Sequence, residues 1–243
     1  TAELYRNFGT MISHQFRTPL ALVDSALQRL MRRRDRLMPE EILERGTQAR
    51  SAIERLVRLV ESTLDAARLD AGQIKIHSQA CNLEELVSDV CARQIETEDR
   101  HRIRITQLEE ACPVAYCDPV HAENILSNLL SNALKYSPAG TPISVALADN
   151  GRQIECIVTN TGTPGGSFEC EALFERYYRG NNVEGRPGIG VGLYMARMLA
   201  RLQGGDVQLQ DAKPGQVRLA MLLPRNADRS STVQMAEPER ERA

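Results

Sequence analysis

Hydrophobic positions change rhythm once along this chain. In the first 70 or so residues they recur at spacings near three and four. Leu4, Phe8, Met11, Phe16, Val23, Leu27 and Leu30 form one series; Ile42, Ala49, Ile53, Leu56, Val60, Leu64 and Ala67 form a second. Such spacing lays one apolar stripe along each of two amphipathic helices. The polar stretch RRRDRLMPEE separates them. Pro39 suits the first turn of the second helix, Glu40 and Glu41 follow near its positive end, and Gly72 stops it. Each helix runs for about 30 residues, or about 45 Å. A lone hairpin of that kind leaves apolar surface uncovered. A second copy closes it into a four-helix bundle, so a homodimer is expected.

After residue 72 the period shortens. The runs IKIHS, RIRITQL, PVAYC, TPISVALAD, RQIECIVTN, GDVQLQ and VRLAMLL read as strands, with helical stretches near 82–97, 119–136 and 190–203 between them. Asp149-Asn150-Gly151 reads as the turn of a hairpin. Strands with interspersed helices predict an α/β sandwich. The expected class is therefore α+β: a helical hairpin over 1–71, then an α/β-sandwich domain over 72–224. From 225 to 243 the chain is polar, lacks apolar period and is expected to be disordered.

Composition narrows the function. Thirty Lys and Arg against 32 Asp and Glu leave a net charge of −2, which speaks against nucleic acid as a partner. No run approaches the roughly 20 apolar residues that cross a bilayer, and no signal peptide is visible. The chain opens on Thr1 inside a helical pattern, which reads as a fragment; any membrane attachment is expected only through an upstream region. The six cysteines form no CxxC pair and read as small buried hydrophobes of a reducing compartment.

Four short motifs carry candidate chemistry. His14 lies in ISHQFRTPLA on the first helix, with Pro19 inside the helical stretch. A proline there removes a backbone hydrogen bond and crowds the carbonyl four residues back, which favours a bend near His14. Asn124, Asn128, Asn132 and Lys135 share one face of a predicted helix, with Leu126, Leu129, Leu130 and Leu134 available for the other. A buried row of Asn and Lys beside a leucine core is costly without a ligand. Asn oxygens suit Mg²⁺, and Lys supplies a point charge for phosphate. Asn160-Thr161-Gly162 follows a strand, and Gly188, Gly190 and Gly192 precede a helix, where backbone N–H groups suit phosphate. No GxxxxGK[ST] or HRD-type loop is present, which excludes P-loop and protein-kinase readings.

In this order, over roughly residues 1–224, the motifs resemble those of sensor histidine kinases. The string S-H-x-F-R-T-P-L resembles the phosphoacceptor box of their dimerisation hairpin. The resemblance implies that His14 is phosphorylated and that Thr18 orients water when phosphate is removed from a partner. Members of this type mostly carry Glu or Asp after the histidine as a general base; here Gln15 can orient the imidazole but takes no proton. ENILSNLLSNALKYSP is similar to the N box, which implies Mg²⁺ on Asn132 with help from Asn128, phosphate on Lys135 and adenine beside Tyr136. Asn128 also stands where related chaperone and gyrase-type ATPases carry the glutamate that activates water, which disfavours steady hydrolysis.

Asn160 and Gly162 match the adenine box, with Asn in place of Asp and Pro164 in place of its second Gly. Phe174, Tyr177, Tyr178 and Arg179 resemble the F box, with Arg179 toward the γ-phosphate; the aromatics read as anchors of the loop. Gly188, Gly190, Gly192 and Leu193 match the glycine box, and the stretch near 166–189 reads as a lid over ATP. The implied activity is transfer of a phosphoryl group from Mg-ATP to His14, and from there to an Asp on the receiver domain of a cognate response regulator. The implied setting is the cytoplasmic portion of an inner-membrane sensor. A regulatory nucleotide-binding module, or a phosphatase acting through Thr18 with weak autokinase activity, is the alternative.

Overall fold

The computed structural model describes residues 2–32, 38–94, 102–107, 113–162, 171–178, 190–210 and 215–226. The side chains of residues 2–15 and of a few helix and strand positions fall outside that description. The chain divides into two compact units: residues 1–73 with 175–192, and residues 74–174 with 193–243.

The first unit holds helices α1 (Ala2–Arg32) and α2 (Pro39–Asp70), which pack against each other. α1 continues as helix through Pro19. At the start of α2 the Glu41 carboxylate accepts from the Met38 backbone N–H at 3.2 Å, satisfying one donor left over by the helix geometry. At its end Gly72 adopts φ 63°, and its N–H donates to the Leu69 carbonyl at 2.9 Å. Glycine is suited to that left-handed turn. Among the described residues of the hairpin, Ala26, Ala52, Ala66 and Leu69 are buried, whereas Leu20, Leu27, Ile53, Val57, Val60 and Leu64 stay exposed. Among the described residues, no helix is long and apolar enough to cross a membrane.

The second unit is an α/β sandwich. Strands β1 (Gln79–Asn82) and β3 (Val114–Cys117) form a small antiparallel ladder. Strands β2 (Ile103–Gln107), β4 (Ile143–Asp149), β5 (Gln153–Thr161), β6 (Asp206–Gln210) and β7 (Gln216–Pro224) form a sheet in the order β2-β4-β5-β7-β6. β2 runs parallel to β4, and the other neighbours are antiparallel. β4 and β5 meet at the expected turn, where the Asp149 carboxylate accepts from Gly151 N–H at 2.7 Å.

Helices α3 (Leu83–Gln94), α4 (Pro119–Tyr136) and α5 (Gly192–Leu202) supply the other layer. One face of the sheet, through Val145, Ile154, Cys156, Val158, Leu219, Met221 and Leu223, joins Leu83 and Val87 of α3, Ile125, Leu126 and Leu129 of α4, and Leu199 of α5 in one core. Cys81, Cys91, Cys117 and Cys156 are buried free thiols.

Two expectations need correction. IKIHS is not a strand: residues 74–78 are irregular, and the strand begins at Gln79. The backbone of that segment is taken up by the start of α4, since His77 N–H donates to the Asp118 carboxylate at 2.8 Å. The polar row on α4 is not buried either. Asn124 is exposed, and Asn128, Asn132 and Lys135 are half-buried, because the unit packs only the opposite face of that helix. The tail expected to be disordered lies, from residue 227, outside the described residues.

Candidate functional site

The site is built around α4. Asp118 caps its first turn, accepting from Val120 N–H at 3.0 Å and His121 N–H at 3.4 Å, and Pro119 occupies the first helical position. Asp118 N–H in turn donates to Oε1 of the fully buried Gln203 at 2.7 Å, and Gln203 Nε2 donates to the Leu199 carbonyl at 2.9 Å. These bonds tie the start of α4 to the end of α5. Burial pushes the Asp118 carboxyl up, but the backbone N–H groups of His77 and His121 and the nearby His121 ring outweigh it and hold the carboxyl below its ordinary range.

With Ala122, Ile125, Leu126, Leu129, Leu130 and Ala133 locked into the core, the rotation of α4 is set, and Asn124, Asn128, Asn132 and Lys135 face away from it. Asn128 Nδ2 donates to the Asn124 carbonyl at 3.0 Å, which leaves its oxygen as the outward acceptor. The Lys135 ammonium lies 4.8 Å from the centroid of the Tyr136 ring. Past Tyr136, buried Arg102 fastens the next loop, donating to the carbonyls of Thr141 and Pro138 at 3.0 Å each.

The end of β5 comes to the same place. Asn160 pairs with Ile143 on β4 and Val217 on β7 and is only 5% exposed. Its Nδ2 donates to the Thr161 carbonyl at 3.2 Å. A Cβ placed on Gly162 would lie 3.4 Å from Asn160 Nδ2 and 3.9 Å from the Tyr136 carbonyl. The ends of α4 and β5 thus converge to van der Waals range, bringing Tyr136, Asn160 and Gly162 together. Beside them, the buried hydroxyl of Ser137 has no hydrogen-bond partner among the described residues.

This donor set fits a magnesium nucleotide. A buried carboxamide, an unfilled hydroxyl and a glycine without Cβ suit a purine edge, and amide oxygens with a lysine on the adjoining helix face suit phosphate and a hard cation.

The glycine box is described in part. α5 starts at Gly192, and Leu193 is half-buried against the core. Gly190 has φ 68°, its carbonyl accepts from Tyr177 N–H at 2.8 Å, and a Cβ there would fall 2.6 Å from the Tyr178 carbonyl oxygen. The glycine is therefore required by the close approach of two backbone stretches. Arg179 and Gly188, and most of the stretch expected to be a lid, lie outside the described residues.

On α1, Thr18 is exposed and His14 lies one turn before it on the same face; the side chains of His14 and Gln15 are outside the described residues. Phe16, Arg17, Leu20, Ala21 and Asp24 line a shallow concavity on that helix. Asp118, Gln203 and Arg102 escaped the sequence reading. The Asp118-Pro119 pair is a helix-start signal that identifies the first; Gln203 and Arg102 act through long-range contacts that no local pattern reveals.

Known proteins place this arrangement. Residues 5–72 match the His Kinase A (phospho-acceptor) domain, and residues 117–227 match the histidine kinase-, DNA gyrase B- and HSP90-like ATPase domain. The chain belongs to the sensor histidine kinases and comprises their phosphoacceptor and ATPase-type domains in sequence. It is 30% identical over 212 residues to the signal transduction histidine-protein kinase/phosphatase MprB of Mycolicibacterium paratuberculosis, covering 85% of this chain and 40% of that protein. The chain thus spans less than half the length of that relative. The structure of the Acinetobacter baumannii histidine kinase AdeS shares the fold, with a TM-score of 0.65, 19% identity and coverage of 88% of this chain and 98% of that one. That of full-length ShkA in complex with AMPPNP gives a TM-score of 0.62 and 25% identity, covering 90% of this chain and 45% of that one.

Proposed function

We propose that this chain is the catalytic core of a sensor kinase that transfers a phosphoryl group from Mg-ATP to His14 and then to an aspartate of a response-regulator receiver domain. The observation that carries the reading is the convergence of Tyr136, Asn160 and Gly162 at the end of the polar face of α4, in a chain whose first helix bears His14. When bound, Mg-ATP supplies the phosphoryl group. Asn132 and Asn128 offer amide oxygens to the metal, Lys135 offers charge to the phosphates, and Asn160 offers its carbonyl to the adenine amino group with Tyr136 alongside. Gly162 leaves room for the base, and the likeness to the family's motifs assigns Arg179, Gly188, Gly190, Gly192 and Leu193 to nucleotide binding. Catalysis rests on positioning and charge neutralisation.

At His14 an unprotonated ring nitrogen is the nucleophile. Gln15 is able to hydrogen-bond an imidazole but takes no proton, so the ring proton of His14 leaves to water. Because general base catalysis contributes about 10²–10⁴-fold, this core runs slowly and Gln15→Glu accelerates it. In the reverse direction Thr18 orients a water that removes phosphate from the response regulator. The exposed stripe of the hairpin supports a homodimer, and the core works as the cytoplasmic portion of a membrane-attached sensor.

Incubation with γ-labelled ATP tests the reading. Acid-labile, base-stable label is expected on the wild type and is absent from His14→Ala. Wild type that binds ATP but takes no label overturns it.

A further inference from the structure

Arg102 sits immediately before β2 and is only 8% exposed. Its side chain reaches 39 and 36 residues along the chain, to the loop by which the chain leaves α4. Nε donates to the Thr141 carbonyl at 3.0 Å, and Nη2 donates to the Pro138 carbonyl at 3.0 Å. The Arg102 backbone carbonyl accepts from Ile143 N–H at 2.7 Å, where β4 begins. One residue thus holds the middle of residues 137–142 with its side chain and their exit with its backbone.

The loop is also tight within itself. The Pro138 carbonyl accepts from Thr141 Oγ1 at 2.8 Å and from Thr141 N–H at 3.3 Å, closing a turn in which Gly140 has φ 76°. Pro138 keeps Ser137 extended, at φ −72° and ψ 146°, which ends the helix. Residues 138–140 are exposed, so water would serve their carbonyls. A guanidinium withdrawn from water to hold this loop loses hydration that two neutral carbonyls only partly replace. Its distinctive contribution is geometric, because a planar fork with fixed donors sets where both carbonyls lie.

What the loop fixes is the base end of the site. Tyr136 and Ser137 lead directly into it. The Tyr136 carbonyl would lie 3.9 Å from a Cβ on Gly162, and Asn160 Nδ2 would lie 3.4 Å from the same point. The Ser137 hydroxyl beside them is buried without a hydrogen-bond partner among the described residues. We propose that Arg102 is a positioning residue for the nucleobase: by clamping Pro138 and Thr141 it sets Tyr136 and Ser137 against Asn160 and Gly162, so that together they meet one purine edge. This rests on the nucleotide-binding part of the function proposed above. All of these groups belong to the sheet unit.

Calorimetric affinities of the full chain for ADP and for purine riboside 5′-diphosphate, which lacks the 6-amino group, test the assignment, with thermal midpoints measured in parallel. Arg102→Met weakens ADP binding about tenfold and binding of the analogue no more than about twofold, because the analogue never makes the contact that misplacement removes. Arg102→Lys recovers only part of the ADP affinity, having no planar fork. A purely structural Arg102 predicts a lowered midpoint with both affinities unchanged or reduced by the same factor, and either result overturns the proposal. Gly140→Val covers the case in which Arg102→Met fails to fold. Gly140 is exposed with open space around its Cβ position, yet valine resists a positive φ and so strains the same turn. That variant weakens ADP binding about threefold or more, and an unchanged ADP affinity in it overturns the proposal alone. Wild type that binds no ADP defeats the nucleotide reading together with this proposal. The expected affinity losses without any label on wild-type His14 defeat only phosphoryl transfer.

Discussion

On the hairpin Leu27, Ile53 and Leu64 lie about half exposed, whereas on α4 Ile125, Leu126 and Leu129 are sealed from solvent. Both sets arise from the same helical period. They differ in what the chain supplies to cover them. α4 lies against a sheet whose alternate residues complete a core, so its apolar face finds partners within the unit. On the described residues of α1 and α2 much of the stripe stays exposed, and two helices cannot bury a full stripe apiece. The ATPase-type unit therefore buries the apolar face of α4 within itself, whereas the described residues of the hairpin leave much of their stripe exposed.

The contrast is testable in order of size. Leu126→Ala, in the closed core, should cost the sheet unit about 2–5 kcal/mol in urea denaturation of the full chain. A cost below about 1 kcal/mol means that the core is looser than its burial indicates. Leu64→Ala should leave that transition in place and instead weaken self-association, by about 1–2 kcal/mol in sedimentation equilibrium. Unchanged association dissolves the contrast, because the stripe then has another role.

The pH response separates the units further. The Asp118 carboxyl is held below its ordinary value in the folded state, so its contribution is present above that value and is lost as pH falls through the folded-state value. Asp118→Asn keeps a cap and should cost the sheet unit no more than about 1 kcal/mol at neutral pH. It should also flatten the decline in stability below about pH 4. An equally steep acid decline in the variant assigns the acid sensitivity elsewhere. The smallest effect belongs to the exposed Arg50–Glu54 pair on α2, 3.3 Å apart; Arg50→Ala should change stability by no more than about 0.5 kcal/mol.

Periodicity revealed both long helices, α4 and most of the strands, because each is specified by local alternation of apolar and polar residues. It failed at residues 74–78, where IKIHS alternates like a strand but gives its backbone to Asp118 and His121 rather than to a ladder. The motifs located Asn160, Gly162 and Tyr136 separately. Their meeting depends on β5 lying centrally in the sheet and on α4 ending beside it. Gly190 was legible as a glycine with phosphate chemistry in view, while its contact with the backbone of Tyr177 and Tyr178 was not.

Local pattern encodes the elements and the chemical groups they carry: an amphipathic hairpin with His14, a polar-faced helix with Asn128, Asn132 and Lys135, and a glycine-rich approach to α5. Those are local properties, encoded within a few turns of chain. Long-range packing sets which face of α4 is open, joins Asp118 to Gln203 at the helix ends, and turns Arg197 toward Glu171, 26 residues away. Burial and long-range hydrogen bonds depend on what else occupies the same space, and no stretch of sequence carries that information alone.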